Sequence, residues 1–159
     1  MIVLSDAAAE RAVLAGLCKF GHDAYLEVAD IITESTFTVD SNVVVYKCLK
    51  TIFDREEIAT SMDVASIFSA AEQLGLSSVI QKKEEVQHLK AIIDFPVNLD
   101  NVRKFGAKIR KLEITRLLRK QLDGANDKLL DVNGTESIGS ILAVAEDAVF
   151  DFLIGHKGT

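Results

Sequence analysis

Phe95 to Leu130 reads FPVNLDNVRKFGAKIRKLEITRLLRKQLDGANDKLL, and most of the architecture follows from it. It opens on Pro96, the one proline of the chain, which interrupts what precedes it and holds Val97 close to extended. Asn98 is a good helix N-cap. Beyond it Val102, Phe105, Ile109 and Leu112 recur at three- and four-residue steps, the period of an amphipathic helix. If that stripe continued, positions 116 and 119 would be apolar, yet they hold Arg116 and Arg119. Apolar residues resume at Leu118, Leu122, Ala125 and Leu129, so the stripe has moved about 120° around the helix. The two halves are expected to pack on different things, the first near the preceding residues and the second with the last helix.

The same helix is basic. Between Asn98 and Leu122 eight Lys or Arg face two acids, Asp100 and Glu113, for a net +6. The whole chain is −6, which leaves −12 for the rest. An acidic total argues against a general nucleic-acid binder. Three readings of the basic helix remain open: a solvated face, contact with a nucleic-acid backbone, or docking on an acidic protein surface, including another copy of this chain. No aromatic residue beyond Phe105 interleaves the charges, so the stacking pattern of single-strand binders is missing.

Working outward, 159 residues with 48% hydrophobic content suit one compact domain or a small domain with an appendage. Ser5 or Asp6 can cap a first helix that runs to about Phe20 and ends at Gly21, with Ala9, Val13, Leu14, Leu17 and Cys18 inward. A short helix from about Asp23 to Ile32 is expected to bury Leu26, Val28, Ile31 and Ile32. Phe37 plugs the core from a connector. Asp40 or Ser41 caps a third helix to about Phe53; its Val43-Val44-Val45-Tyr46 run could be a strand, but the spacing through Cys48, Leu49, Ile52 and Phe53 favours helix. Ser61 caps a fourth, Met62 to Leu74, closed by Gly75, with Ile67, Phe68, Ala71 and Leu74 inward. Ser77 or Ser78 begins a fifth stretch, broken near Gln81, with Leu89, Ile92 and Ile93 apolar and Lys82-Lys83-Glu84-Glu85 solvated.

After the basic helix, Asn133-Gly134 marks a turn. Asn133-Gly134-Thr135 also fits a glycosylation sequon and is read as that turn alone. A last helix from about Ser137 to Leu153 places Ile138, Ile141, Leu142, Ala145, Val149, Phe152 and Leu153 at near-heptad spacing. The fold is therefore all-α: a small globular helical head, 1–95, then a two-helix hairpin, 98–154, then the start of a linker, 155–159. A two-helix hairpin has little core of its own, so its apolar stripe calls for a partner. The candidate subunit or partner interface is Arg116, Leu118, Arg119, Leu122 and Leu129 on one helix with Ile141, Leu142, Ala145, Val149 and Phe152 on the other.

The chemistry-bearing patterns are absent. There is no GxxxxGK[ST] and no GxGxxG; Gly155-His-Lys-Gly-Thr159 lacks the spacing of a phosphate loop. There is no GxSxG. His22, His88 and His156 have no motif partner and are read as surface residues. The carboxylate pairs Glu56-Glu57, Glu84-Glu85 and Glu146-Asp147 lack metal spacing. Cys18 and Cys48 lie in apolar stripes and read as buried free thiols, with no CxxC for zinc. No signal peptide and no membrane span is visible. No catalytic, cofactor-binding or metal-binding residue is expected.

The order of features resembles the N-terminal domain of replicative DNA helicases of the DnaB family, bacterial or phage. Ala9-Glu10-Arg-Ala-Val13-Leu14-Ala-Gly16-Leu17 is similar to the family's opening "E-x-x-V-L-G-x-L" helix. Val28-Ala-Asp-Ile31, Phe37 and the helix from Asn42 to Phe53 follow in the family's order. Met62-Asp63-Val64 with Leu74-Gly75 resembles "D-x-x-T-V…L-x-x-x-G". Phe95-Pro96-Val97-Asn98-Leu-Asp-Asn101-Val102 resembles the "P-x-x-x-N-x-x-x-Y" entry into the hairpin, and Ile109-Arg110 through Arg116-Leu117-Leu118-Arg119 its continuation. Ser77-Ser78-Val79 stands where the family has Gly-Gly, and Phe105 where it has Tyr, which marks a divergent member.

The resemblance implies a collar, oligomerisation and partner-docking domain of a hexameric helicase that unwinds DNA at the replication fork. It implies that ATP and magnesium act in a motor domain absent from this chain, which is then not itself an enzyme. The implied partners are further copies of the chain, dimer to hexamer through the hairpin, primase, a helicase loader, and single-stranded DNA weakly or in the full ring, with no membrane. The implied compartment is the cytoplasm of a bacterium or phage-infected host. Two alternatives are the helicase-binding C-terminal domain of a primase, against which Met1 just before the first helix argues, and a free-standing helical helicase-loader or adaptor protein.

Overall fold

Asp6 accepts a hydrogen bond from the Ala9 N–H at 2.9 Å and so caps helix α1, Ala7–Phe20. Gly21 ends that helix with φ of +61°, a conformation that suits a residue without Cβ. The computed structural model describes residues 4–55 and 61–156, and all that follows concerns those residues. They form eight α-helices, one short 3-10 turn and no strand. After α1 come α2 (His22–Val28), the 3-10 turn Glu34–Thr36, α3 (Asp40–Arg55), α4 (Val64–Gln73), α5 (Ser77–Ile80), α6 (Lys83–Asp94), α7 (Leu99–Leu129) and α8 (Ile138–His156).

The chain divides into two compact units, Met1–Lys111 and Leu112–Thr159, with the boundary inside α7. In the first, α1 is central. It packs against α2, α3 and α6, and its residues from Ala12 to Cys18 are all buried. Val13, Leu14, Leu17, Tyr46, Leu49, Ile52, Ile67, Leu89 and Ile92 make one apolar core. Val102 and Ile109, from the first turns of α7, belong to that core, and Phe105 packs against it. Two glycines set how closely α7 approaches. A Cβ on Gly106 would stand 2.7 Å from Val28 Cγ1, and one on Gly16 would overlap Val102 Cγ2.

Cys18 and Cys48 are buried free thiols, as their stripes predict. Burial pushes the Cys18 thiol up to about 12 and the Cys48 thiol up to about 11, so neither is a nucleophile at neutral pH.

Several local expectations shift. Leu26 is 63% exposed rather than inward, because α2 ends at Val28 and seven residues turn only Ala24 and Val28 to the core. Leu74 is 41% exposed, since α4 stops at Gln73 and Gly75, at φ +72°, turns the chain away. Asp63, not Ser61, caps α4 by accepting from the Ser66 N–H at 2.8 Å. The break near Gln81 separates α5 from α6. Glu85 leaves the solvated run to accept a hydrogen bond from Ser41 Oγ at 2.9 Å.

His88 is not a plain surface residue either. Its Nε2 lies 2.6 Å from Asn42 Oδ1. An amide oxygen only accepts, so that nitrogen carries the proton. Helix α8 continues through Gly155 to His156, into the stretch read as linker; residues beyond it, and Glu56-Glu57, lie outside the described residues.

Candidate interaction surface

Leu112–Thr159 is the last part of α7, a turn and α8. The turn is built from its own polar groups. Asn133 Oδ1 accepts from the Thr135 N–H at 3.0 Å and the Thr135 hydroxyl at 2.7 Å. The Glu136 carboxylate accepts from the N–H groups of Asn133 and Gly134. Its own backbone N–H and these donors hold the Glu136 carboxyl below the usual carboxylate range. Gly134 takes φ of +93°, and Ser137 Oγ accepts from the Ser140 N–H at 3.1 Å to start α8.

All ten interface candidates fall in this unit. Leu122, Leu129, Leu142 and Val149 are 44%, 38%, 57% and 42% exposed, and Arg119 and Ala145 are exposed too. Arg116, Leu118, Ile141 and Phe152 are half-buried. The buried hydrophobic residues of this unit are small: Ala125 and Ala148, at 8% and 6% exposure. Several of the larger apolar side chains of this unit, Leu122, Leu129, Leu142 and Val149 among them, are left exposed.

Six further exposed apolar residues of this unit lie outside the ten interface candidates: Leu130, Val132, Ile138, Phe150, Leu153 and Ile154. Ile138 and Leu153 extend the stripe of Leu142 and Val149, and their period marks them. Leu130 and Val132 lie at the turn, where no periodicity points to them.

Residues of α7 and α8, the interface candidate Phe152 among them, line a groove of about 510 Å³. Gly124, Ala125 and Ala148 line it, with Lys120 and Lys128 on the α7 side and Asp147 and Asp151 on the α8 side.

The polar group that spacing missed lies in the first unit. Glu10 is 1% exposed on α1. Its carboxylate accepts from Thr38 N–H at 3.1 Å, Thr38 Oγ1 at 2.6 Å and Asn42 Nδ2 at 3.1 Å, with Val39 N–H at 3.4 Å. It thus satisfies, from another helix, the N–H groups of Thr38 and Val39 just before α3, where its negative charge also suits the helix dipole. The available signal was its place on the Glu10, Leu14, Leu17 face.

Among the described residues no group of three or more His, Cys, Asp or Glu could hold a metal ion. No described helix is long and apolar enough to cross a membrane.

Residues 3–111, nearly the whole first unit, match the family model for the DnaB-like helicase N-terminal domain. No curated protein sequence matches. Among solved structures the chain is similar to the N-terminal domain of DnaB helicase from Mycobacterium tuberculosis, with a TM-score of 0.73 at 17% identity over 94% of this chain and 99% of that one. That likeness speaks for the fold alone, and the family match speaks for kinship. With more than half its length matched, this chain belongs to the DnaB-like helicase N-terminal domain family.

Proposed function

We propose that this chain is the collar of a hexameric replicative DNA helicase, the part through which subunits associate and partner proteins dock. The observation that supports this is the exposed apolar stripe of the hairpin unit, Leu122, Leu129, Leu142 and Val149. An apolar surface of this kind on a folded unit marks an interaction site. In this reading the unit beyond Lys111 is the assembly element.

In this reading ATP hydrolysis and DNA unwinding belong to a motor domain of the parent helicase, acting in the cytoplasm. This chain contributes no catalytic step. Further copies of itself come first among its partners, then primase and a helicase loader, with single-stranded DNA held weakly. A net charge of −6 opposes tight binding to phosphate backbone.

Light scattering over a range of concentrations tests this, followed by co-elution with the helicase-binding domain of a cognate primase. A mass of a dimer or more, and a joint peak with primase, are expected. A monomer at every concentration that also ignores primase overturns the reading.

A further inference from the structure

The turn between α7 and α8 gathers polar groups around one peptide bond, that joining Asn133 to Gly134. Of the asparagines in the chain, only Asn133 is followed by glycine. The others precede Val43, Leu99, Val102 and Asp127, whose side chains crowd the approach to the backbone nitrogen. Asn42, Asn101 and Asn126 also lie within helices, where the next N–H is committed to the helical ladder. Neither hindrance applies at Asn133. Gly134 has no side chain, lies outside any helix and takes φ of +93°.

A bond from the Gly134 nitrogen to Asn133 Cγ closes a five-membered ring, and both ends of that reaction have a partner in place. The Gly134 N–H, whose proton must leave, donates to Glu136 Oε1 at 3.1 Å. The Glu136 carboxyl is held below the usual carboxylate range, by its own backbone N–H first and then by those of the turn, so it is ionised at neutral pH. A carboxylate within hydrogen-bond reach of the proton is placed as a general base. Asn133 Oδ1, where negative charge collects when Cγ is attacked, accepts from the Thr135 N–H at 3.0 Å and the Thr135 hydroxyl at 2.7 Å. Two donors fixed on the oxygen of an attacked carbonyl do what an oxyanion hole does.

We infer that Asn133 is a self-modification site, at which Glu136 and Thr135 assist conversion of the asparagine to a succinimide and then to aspartate or isoaspartate. Glu136 takes the Gly134 proton as the nitrogen bonds to Cγ. The oxyanion on Oδ1 collapses and the Cγ–Nδ2 bond breaks. The proton passes from Glu136 to Nδ2, which leaves as ammonia. Water is the second reactant, and residues 133–135 are exposed to it. Its attack at Cγ reopens the new bond and leaves an aspartate side chain. Its attack at the backbone carbonyl leaves the chain running through Cγ, an isoaspartyl link. No electron is gained or lost. Either product is about 1 Da heavier and carries one more negative charge at neutral pH.

The change runs one way and accumulates with the age of the chain. It sets a new carboxylate beside that of Glu136, and like charges repel. The isoaspartyl product also adds a backbone carbon, so the hydrogen bonds of the turn cannot re-form in register. The inference does not depend on the assembly reading.

The test follows the modification by peptide mass mapping of the whole chain, kept at neutral pH either folded or in guanidinium chloride. An Asn-Gly pair reacts slowly without help, so the denatured chain gives the unassisted rate. The folded chain is expected to react about tenfold faster or more, the lower side of what a positioned base contributes. Glu136→Gln and Thr135→Val are expected to bring the folded rate close to the denatured one and to leave the denatured rate unchanged. Helical circular dichroism confirms that both variants fold.

A pH series separates chemistry from a merely structural effect of these variants. Glu136 is ionised throughout from about pH 6 to about pH 8, so the folded rate should change little across that range. Hydroxide drives the unassisted reaction, so the denatured rate and that of folded Glu136→Gln should climb steeply. The inference is overturned if the folded chain reacts no faster than the denatured one, if either folded variant keeps the wild-type rate, or if the folded wild type climbs with pH as steeply as the denatured chain.

Discussion

Asn42 Nδ2 on α3 donates to Glu10 Oε1 on α1 at 3.1 Å, and the same amide's oxygen takes His88 Nε2 on α6 at 2.6 Å. One side chain, 2% exposed, thus links three helices of the head. Such a polar relay fixes the register in which α1, α3 and α6 pack, which apolar contacts alone do less sharply.

Glu10→Ala removes the acceptor for Thr38, Val39 and Asn42 and leaves their donors dry. The expected loss is about 3 kcal/mol, since buried donors without partners cost more than a hydrogen bond contributes. Urea unfolding of the whole chain measures it. A loss within experimental error would show that Glu10 does not hold the start of α3.

Gly106→Ala places a methyl where Val28 Cγ1 already stands, 2.7 Å away. Overpacking of this kind costs about 1–3 kcal/mol. Adding Val28→Ala should recover part of that cost despite opening space elsewhere. A double-mutant cycle reads the coupling, and strictly additive losses would contradict the close crossing of α2 and α7.

Burial holds the His88 pKa below its ordinary value, with the nearby Arg11 charge acting the same way and Glu85 opposing. A histidine depressed in the folded state favours folding most when neutral. Its contribution is complete above the unfolded value near about 6.5 and is lost as pH falls through the lower folded value. The wild type should therefore lose more stability than His88→Gln as pH falls from about 6.5 toward that lower value. Identical pH profiles for the two would remove His88 from the account.

The sequence made the head legible where one residue decides one feature. Asp6 and Gly21 bracket α1 because a carboxylate cap and a positive φ need those residue types. Arg116 and Arg119 interrupt the stripe of α7 at positions that a continuous core face would keep apolar. It was less legible where a neighbour decides. Leu26 looks inward by period, but how few turns α2 makes is set by the packing around it. Glu10 looks like a solvent residue until the N–H groups of Thr38 and Val39 and the side chain of Asn42 are seen to point at it. The apolar interface candidates follow from spacing, and Leu122, Leu129, Leu142 and Val149 among them are exposed. The groove of Lys120, Lys128, Asp147 and Asp151 could not, because it exists only once two helices lie side by side.

Sedimentation equilibrium of the wild type beside Val149→Asp tests the central claim, that the apolar stripe of the hairpin joins subunits, most directly. Val149 is 42% exposed in the single chain, so the substitution should leave the unfolding midpoint nearly unchanged. The wild type is expected to weigh as a dimer or more, and Val149→Asp to weigh no more than half as much at the same concentration. Equal masses for the two proteins would contradict the claim.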